Sequence, residues 1–286
     1  MMMQKASRKK AKIRLGLSSV SGGGKTYSAL LIAKGLANGD LSKVAVIDSE
    51  NGSADLYADL GPYQVIHLAP PFSPERYIEA ISACLSGGME VIILDSISHE
   101  WEGKGGVLEL ADAMGGQYQS AWKTLTPRHE SFKQAILQSP CHMITTVRRK
   151  QDYVLQEKVN KSGKTVQAPV KVGLKEVTRE GWEYELTINL ELELNHYATA
   201  SKDRTGLFMG KPAFVPSEET GRQIAAWCNE GVEPLNIAQR VGECKSMAEL
   251  LALFQSTDIN NEDTLQIFKS RKEDLLNLKS NGVASF

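Results

Sequence analysis

The sequence is short of several features that would settle a protein's class at once. Its four cysteines, Cys84, Cys141, Cys228 and Cys244, lie far apart and form no C-x-x-C pair. That excludes a zinc ribbon, offers no disulfide framework and fits a reducing cytoplasm. No apolar run approaches the ~20 residues of a membrane-crossing helix, and no secretory leader is expected at the N-terminus. Neither sign of charge dominates: 33 Lys+Arg against 34 Asp+Glu leave a net charge of −1, so affinity for a polyanion has to come from a local patch. Internal repeats and long low-complexity tracts are missing too, which excludes a solenoid or an array. What remains is an ordinary globular composition, 42% hydrophobic and 23% charged. The length allows one main domain of about 200 residues and a smaller appendage.

Against that plain background one stretch stands out, Ser19-Val20-Ser21-Gly22-Gly23-Gly24-Lys25-Thr26, set between a β-like apolar run (Ile13 to Leu17) and a helical one (Tyr27 to Ala37). Successive glycines let backbone N–H groups curl toward phosphate oxygens, and the helix opening at Lys25 adds its positive dipole end to the same spot. The pattern is that of a phosphate loop with Ser19 in place of its first glycine. Ser21, Gly22, Gly23, Gly24, Lys25, Thr26 and Tyr27 are therefore the expected nucleotide contacts. Lys25 is expected to reach the β and γ phosphates, and the Thr26 hydroxyl to ligate Mg²⁺.

Strands and helices alternate over the first 150 residues. Asn38-Gly39-Asp40 ends the first helix, Lys43 to Asp48 is a buried strand, and Gln64 to Leu68 is a short one. Ser73 and Pro74 open a helix that Gly87-Gly88 closes, with proline at the first helical position. Val91 to Asp95 is an apolar strand ending in a carboxylate that can hold a Mg²⁺-bound water. Ser98 to Gly116 reads as a loop with a short helix, Gln117 to Leu137 as a helix interrupted near Pro127, and His142 to Val147 as a core strand. The pattern predicts a doubly wound, mainly parallel α/β sheet.

The chain then changes character. Between Arg148 and Glu180 nine basic residues face four acidic ones, around a turn at Asn160 to Lys164. A basic loop or hairpin there can grip a phosphate backbone through Arg148, Arg149, Lys150, Lys158, Lys161 and Lys164, with Tyr153 placed to stack on a base; a solvated charged hairpin is the plainer alternative. Trp182 to Leu194 alternates apolar and polar residues, which predicts an antiparallel edge strand with one wet, acidic face. His196 to Ser201 continues it or pairs with it, and Lys202 to Gly206 is a charged turn. Pro216 to Cys228 is a helix closing a core of residues 13–230. Beyond it, residues 232–286 predict a small helical domain, with Ser246 and Glu249 as a capping box. Residues 1–12 are a basic arm.

Chemistry at the loop needs a base. Asp95 is followed by Ser96, so no adjoining carboxylate can polarise water, and Glu50, two residues beyond Asp48, is the candidate, with Glu100 as the alternative. Here the chain resembles the RecA family of recombinase ATPases, whose second strand ends in a similar Asp-x-Glu, matched by Asp48-Ser49-Glu50. It looks most like the compact RecA-like ATPases that bacteriophages encode for single-strand annealing and recombination. The resemblance covers roughly residues 12 to 210. It implies a RecA-like sheet with antiparallel edge strands, ATP and Mg²⁺ as ligands, and Glu50 as catalytic glutamate. It also implies single-stranded DNA as partner, a homo-oligomer or filament, a single-strand-binding protein as a further partner, and a bacterial or phage-infected cytoplasm. The family's glutamine that senses the γ phosphate is matched here by Thr146, whose reach is shorter, and its DNA loop by residues 148 to 180. Lys202 and Arg204 fall near the family's basic residues that reach a neighbour's nucleotide. A rival of another class is a nucleotide-regulated switch or scaffold that acts through its helical tail; no acceptor site for a kinase is visible.

Overall fold

The computed structural model describes residues 8–114, 118–159, 165–231, 237–257 and 262–281. The chain divides into two compact units, Ala11–Glu230 and a second made of Met1–Lys10 with Gly231–Phe286. The larger unit is built on a mixed, mostly parallel sheet with spatial order β3-β2-β4-β5-β1-β7-β8. Its strands are β1 (Arg14–Ser19), β2 (Val44–Asp48), β3 (Gln64–His67), β4 (Val91–Asp95), β5 (His142–Val159), β6 (Thr165–Glu176), β7 (Ile188–Leu192) and β8 (Ala198–Asp203). All neighbours along that order run parallel except β7 and β8.

Why the central strands are apolar on both faces is plain from β4. Val91 and Ile93 join one core with Ile13, Leu15, Leu30, Ile32 and Ile224; Ile92 and Leu94 join the other with Tyr77, Ile81, Phe132 and Met143. Side chains alternate across a strand, so a sheet covered by helices on both faces reads as a continuous hydrophobic run. The first face is covered by α1 (Lys25–Leu36) and α7 (Glu218–Asn229), the second by α2 (Pro74–Ser86) and α5 (Tyr118–Leu137). Ser217 and Thr220 close a reciprocal capping box at the start of α7. Between α2 and α5 lie α3 (Ser98–Glu102) and α4 (Val107–Ala113), two short helices where the sequence suggests one.

Three expectations are corrected. Pro127 lies inside α5 without breaking it; one lost N–H is tolerated in a helix of 20 residues whose Leu125, Phe132 and Ile136 are anchored in the core. Trp182 to Leu194 is not one strand: Trp182–Glu185 forms the single turn α6 after Gly181, whose φ of 90° reverses the chain. Only the later part is β7, which pairs parallel with β1 and antiparallel with β8 and is buried at Asn189. It is an interior strand, and β8 is the antiparallel edge. The polar alternation marked a buried interior residue whose amide nitrogen is held by its neighbours: Asn189 Nδ2 donates to Ser201 Oγ at 3.0 Å and to Glu176 Oε1 at 3.2 Å.

β5 leaves the sheet after Arg148 and pairs antiparallel with β6 from Arg149↔Glu176 to Val159↔Thr165. The basic segment is thus a long hairpin, whose tip at 160–164 lies outside the described residues. In the smaller unit, α8 (Ile237–Glu243), α9 (Met247–Gln255) and α10 (Glu262–Asn281) pack around Val241, Leu250, Phe268 and Leu275. Ser246 Oγ accepts the Glu249 N–H at 3.2 Å, while the Glu249 carboxylate takes the N–H of Lys245 rather than that of Ser246. Among the described residues no helix is long and apolar enough to cross a membrane.

Candidate active site

The phosphate loop follows β1 at its carboxyl end and opens α1, with Gly22 and Gly24 at positive φ (83° and 79°). Gly24 is the N-cap of the helix, and a Cβ there would stand 2.6 Å from His196 Nδ1. Ser19, the departure from the usual loop pattern, is accommodated: its hydroxyl donates to the Leu192 carbonyl on β7 at 2.7 Å. That side chain occupies the space beneath Gly23, where an added Cβ would lie 1.9 Å from Ser19 Oγ. Lys25 is nearly buried and donates to the carbonyls of Ser19 (3.2 Å) and Val20 (3.0 Å). Burial lowers its pKa, and the charges of Asp95 and Glu50 oppose that shift.

Asp95 ends β4, one strand removed from β1 across β5, yet its carboxylate reaches the loop. Thr26 Oγ1 donates to Asp95 Oδ2 at 2.6 Å, and Thr146 Oγ1 donates to Oδ1 at 2.5 Å. Burial pushes the Asp95 carboxyl up, against the pull of those two hydroxyls. A hydroxyl and a carboxylate side by side before a phosphate loop are the hard-oxygen donor pair that suits Mg²⁺, which takes few protein ligands and completes its shell with phosphate and water. Among the described residues no group of three His, Cys, Asp or Glu side chains forms a dedicated metal cage.

Glu50 stands on the loop after β2. That strand is three places from β1, not beside it, because β4 and β5 intervene. The loop brings Glu50 back over the strand ends: Asp48 accepts the N–H groups of Glu50 (2.6 Å) and Ala54 (3.0 Å), and Ser49 N donates to the Asp95 carbonyl at 2.7 Å. The Glu50 carboxylate accepts from Ser96 Oγ at 2.7 Å and from Arg148 Nε at 2.7 Å, and Arg148 Nη2 bonds its second oxygen. Burial would raise Glu50, but the Arg148 and Ser96 hydrogen bonds outweigh it and hold the carboxyl below the usual range. Glu100 is fully buried against His129 Nδ1, at 3.0 and 3.1 Å from its two oxygens, and lines none of this cleft. It is a core carboxylate and not a rival base.

Lys25, Thr26, Glu50, Asp95 and Arg148 line one cleft of about 470 Å³. Ser21, Gly22, Gly24 and Tyr27 line it too, whereas the remaining expected cations lie elsewhere. Lys202 Nζ and Arg204 Nη2 both donate to the Tyr184 carbonyl. Arg149 pairs with Glu191 at 2.7 Å and Lys150 with Glu102 at 2.9 Å. Lys158 is paired with Val166 in the hairpin ladder, and Lys161 and Lys164 are outside the described residues.

Sequence reading missed several lining residues, among them Ser53, Tyr57 and His196. Tyr57 meets Tyr27 with ring centroids 5.4 Å apart, and Ser53 and His196 border the same cleft. None belongs to the phosphate-loop motif: Ser53 and Tyr57 closely follow Glu50, Tyr57 in the 3-10 helix Ala54–Leu60, and His196 comes from the turn between β7 and β8. Arg148 carried a signal, since two residues along a strand share a face and Thr146 was already assigned to the site, but its place at the head of a basic run concealed it.

No curated protein matches the chain. A family model described as an AAA domain matches residues 11–215. That stretch is well over half of the chain and holds the phosphate loop, Glu50, Asp95 and Arg148, so the chain belongs to the AAA domain family, a P-loop ATPase-type domain.

Proposed function

We propose that the protein is a Mg²⁺-dependent, RecA-like ATPase that acts on single-stranded DNA in recombination or strand annealing, as a homo-oligomer or filament. The observation that carries the ATPase half is the meeting of Lys25, Thr26, Asp95 and Glu50 in one cleft at the carboxyl ends of parallel strands. Loop N–H groups and Lys25 hold the phosphates, and Thr26 with Asp95 would hold the metal. Mg²⁺ held there would supply positive charge that offsets the charge of the bound phosphates. Glu50 takes the proton of a water that attacks the γ phosphorus, while Lys25 steadies the charge left on the departing diphosphate.

The DNA half is supported by the resemblance and by the basic excess of the hairpin, which springs from β5 directly beside the cleft. Lys202 and Arg204 lie on or just after edge strand β8; in an assembly they are the cations available to a neighbour's nucleotide. A single-strand-binding protein is a further proposed partner, and a bacterial or phage-infected cytoplasm the proposed setting. The other reading, a nucleotide-regulated scaffold working through α8 to α10, makes turnover incidental.

Measuring ATP turnover against protein concentration, with and without single-stranded DNA, tests both halves. We expect stimulation by DNA and a rate per protomer that rises with concentration. Glu50→Gln should keep ATP affinity within about twofold and lower turnover by about 10²-fold or more. Unchanged turnover in that variant removes Glu50 as the base. Turnover indifferent to DNA, together with DNA binding that ignores salt, removes the DNA half.

A further inference from the structure

As it stands Glu50 is a weak base toward water. Both its oxygens are engaged, Oε1 by Arg148 Nε and Ser96 Oγ at 2.7 Å each and Oε2 by Arg148 Nη2. A carboxylate held in a bidentate guanidinium fork has little basicity to spare. If Glu50 is the base, Arg148 must have a second partner to turn to during the reaction.

The structure limits what that partner is. Arg148 lines the same cleft as Lys25 and Thr26. It sits two residues beyond Thr146 on β5, so both side chains leave the strand on one face, toward the nucleotide loop. Thr146 touches Asp95, and Arg148 touches Glu50. Its guanidinium is also open to a ligand from solvent: the Arg148 side chain is 40% exposed, against 17% for Glu50. Lys25 feels the charge of Arg148 as well as those of Asp95 and Glu50. A triphosphate carries several negative charges and tetrahedral oxygens that fit the guanidinium fork, so in this cleft it outcompetes a single carboxylate.

We propose that Arg148 is the terminal-phosphate residue of this site: it leaves Glu50 for the γ phosphate of bound ATP, and in doing so releases the carboxylate that activates water. The proposal rests on the ATPase reading above. In the step itself, the water oxygen forms a bond to the γ phosphorus and the bond from that phosphorus to the β,γ-bridging oxygen breaks. The electron pair stays on ADP, and the water proton passes to Glu50. Arg148 stabilises the charge on the transferring phosphoryl group from within the same chain. Its main chain ties the site to the hairpin: the Arg148 N–H donates to Ser98 Oγ at 2.9 Å, and its carbonyl accepts the Val177 N–H at 2.7 Å. It is the last residue of β5 registered with β1, and Arg149 is the first registered with β6.

The test uses the full chain as wild type, Arg148→Ala, Arg148→Lys and Glu50→Gln, with ADP and the slowly hydrolysed analogue ATPγS competing against a fluorescent nucleotide, beside single-turnover hydrolysis of ATP. We expect Arg148→Ala to bind ADP within about twofold of wild type but ATPγS about tenfold or more weakly, as befits one lost charge-assisted contact. Hydrolysis should fall by about 10³-fold, the lower end of the effect of an arginine on phosphoryl transfer. Arg148→Lys should recover part of both. An unchanged ratio of ATPγS to ADP affinity with equal or faster hydrolysis would make Arg148 a clamp on Glu50 only, and would overturn the proposal. So would equal weakening of both nucleotides in the alanine and lysine variants, which marks a structural partner, or loss of DNA affinity alone. If Glu50→Gln hydrolyses ATP normally, the base assignment fails instead, and the ATPγS-to-ADP ratio still reports on Arg148.

Discussion

At the scale of single residues, the phosphate loop shows how a departure from a motif is absorbed. Ser19 replaces a glycine, and the added hydroxyl reaches across to the Leu192 carbonyl. Its room comes from Gly23, where a Cβ would fall 1.9 Å from Ser19 Oγ and 2.8 Å from Ser19 Cβ. The two positions are therefore coupled. Gly23→Ala is expected to destabilise the protein by about 1–3 kcal/mol through overpacking, and Ser19→Gly in the same chain to recover most of that, read by urea unfolding. Additive effects of the two substitutions would show that they do not share this space. The loop was legible in the sequence because its glycines, lysine and threonine are contiguous. The place of Glu50 in the cleft was expected from its position two residues beyond Asp48. Arg148 was not, because a basic residue at the head of a basic run looks like part of the run, and only the fold shows that its side chain turns toward a carboxylate 98 positions away.

At the scale of elements, the helices flanking the nucleotide loop are set by a pair of glycines. Gly35 on α1 and Gly221 on α7 meet where the helices cross: a Cβ on Gly35 would lie 2.0 Å from the Glu218 carbonyl oxygen, and one on Gly221 would lie 2.1 Å from that of Ile32. Both obstacles are backbone, which cannot rotate away as a side chain does. Although alanine favours a helix over glycine by about 1 kcal/mol, Gly35→Ala should destabilise by about 2 kcal/mol or more, because the helices must separate. A shift of the urea midpoint to higher concentration would disprove the close crossing. The existence of α1 and α7 was readable from capping and periodicity, whereas their contact was not, since nothing local distinguishes a glycine that ends a helix from one that lets another helix approach. The same limit explains β7. Period 2 correctly located a strand, but a buried asparagine whose amide nitrogen donates to Ser201 and Glu176 looks in sequence like one facing water.

At the scale of the whole molecule, a near-neutral chain keeps its charge in compensated pairs around the cleft. Of the basic residues that begin the hairpin, Arg148, Arg149 and Lys150 each hold a carboxylate from another element: Glu50, Glu191 and Glu102. A basic count in sequence therefore overstates the positive charge available to a polyanion, and the order of elements along the chain did not reveal that β2 and β1 are separated by two strands. Sequence alternation did convey that helices cover both faces of a mostly parallel sheet, and that a separate helical pattern follows. The division into units sharpens this. Every described residue lining the nucleotide cleft belongs to Ala11–Glu230. A chain spanning residues 11–230 is accordingly expected to bind ATP within about twofold of the full protein, since sites without shared partners contribute independently. Titrating a fluorescent nucleotide into both forms checks this. A drop of about tenfold in a truncated chain that unfolds at the same urea concentration would place part of the nucleotide site in the smaller unit. Equal affinity with altered response to DNA would instead assign the α8 to α10 helices to partner contact, away from the chemistry.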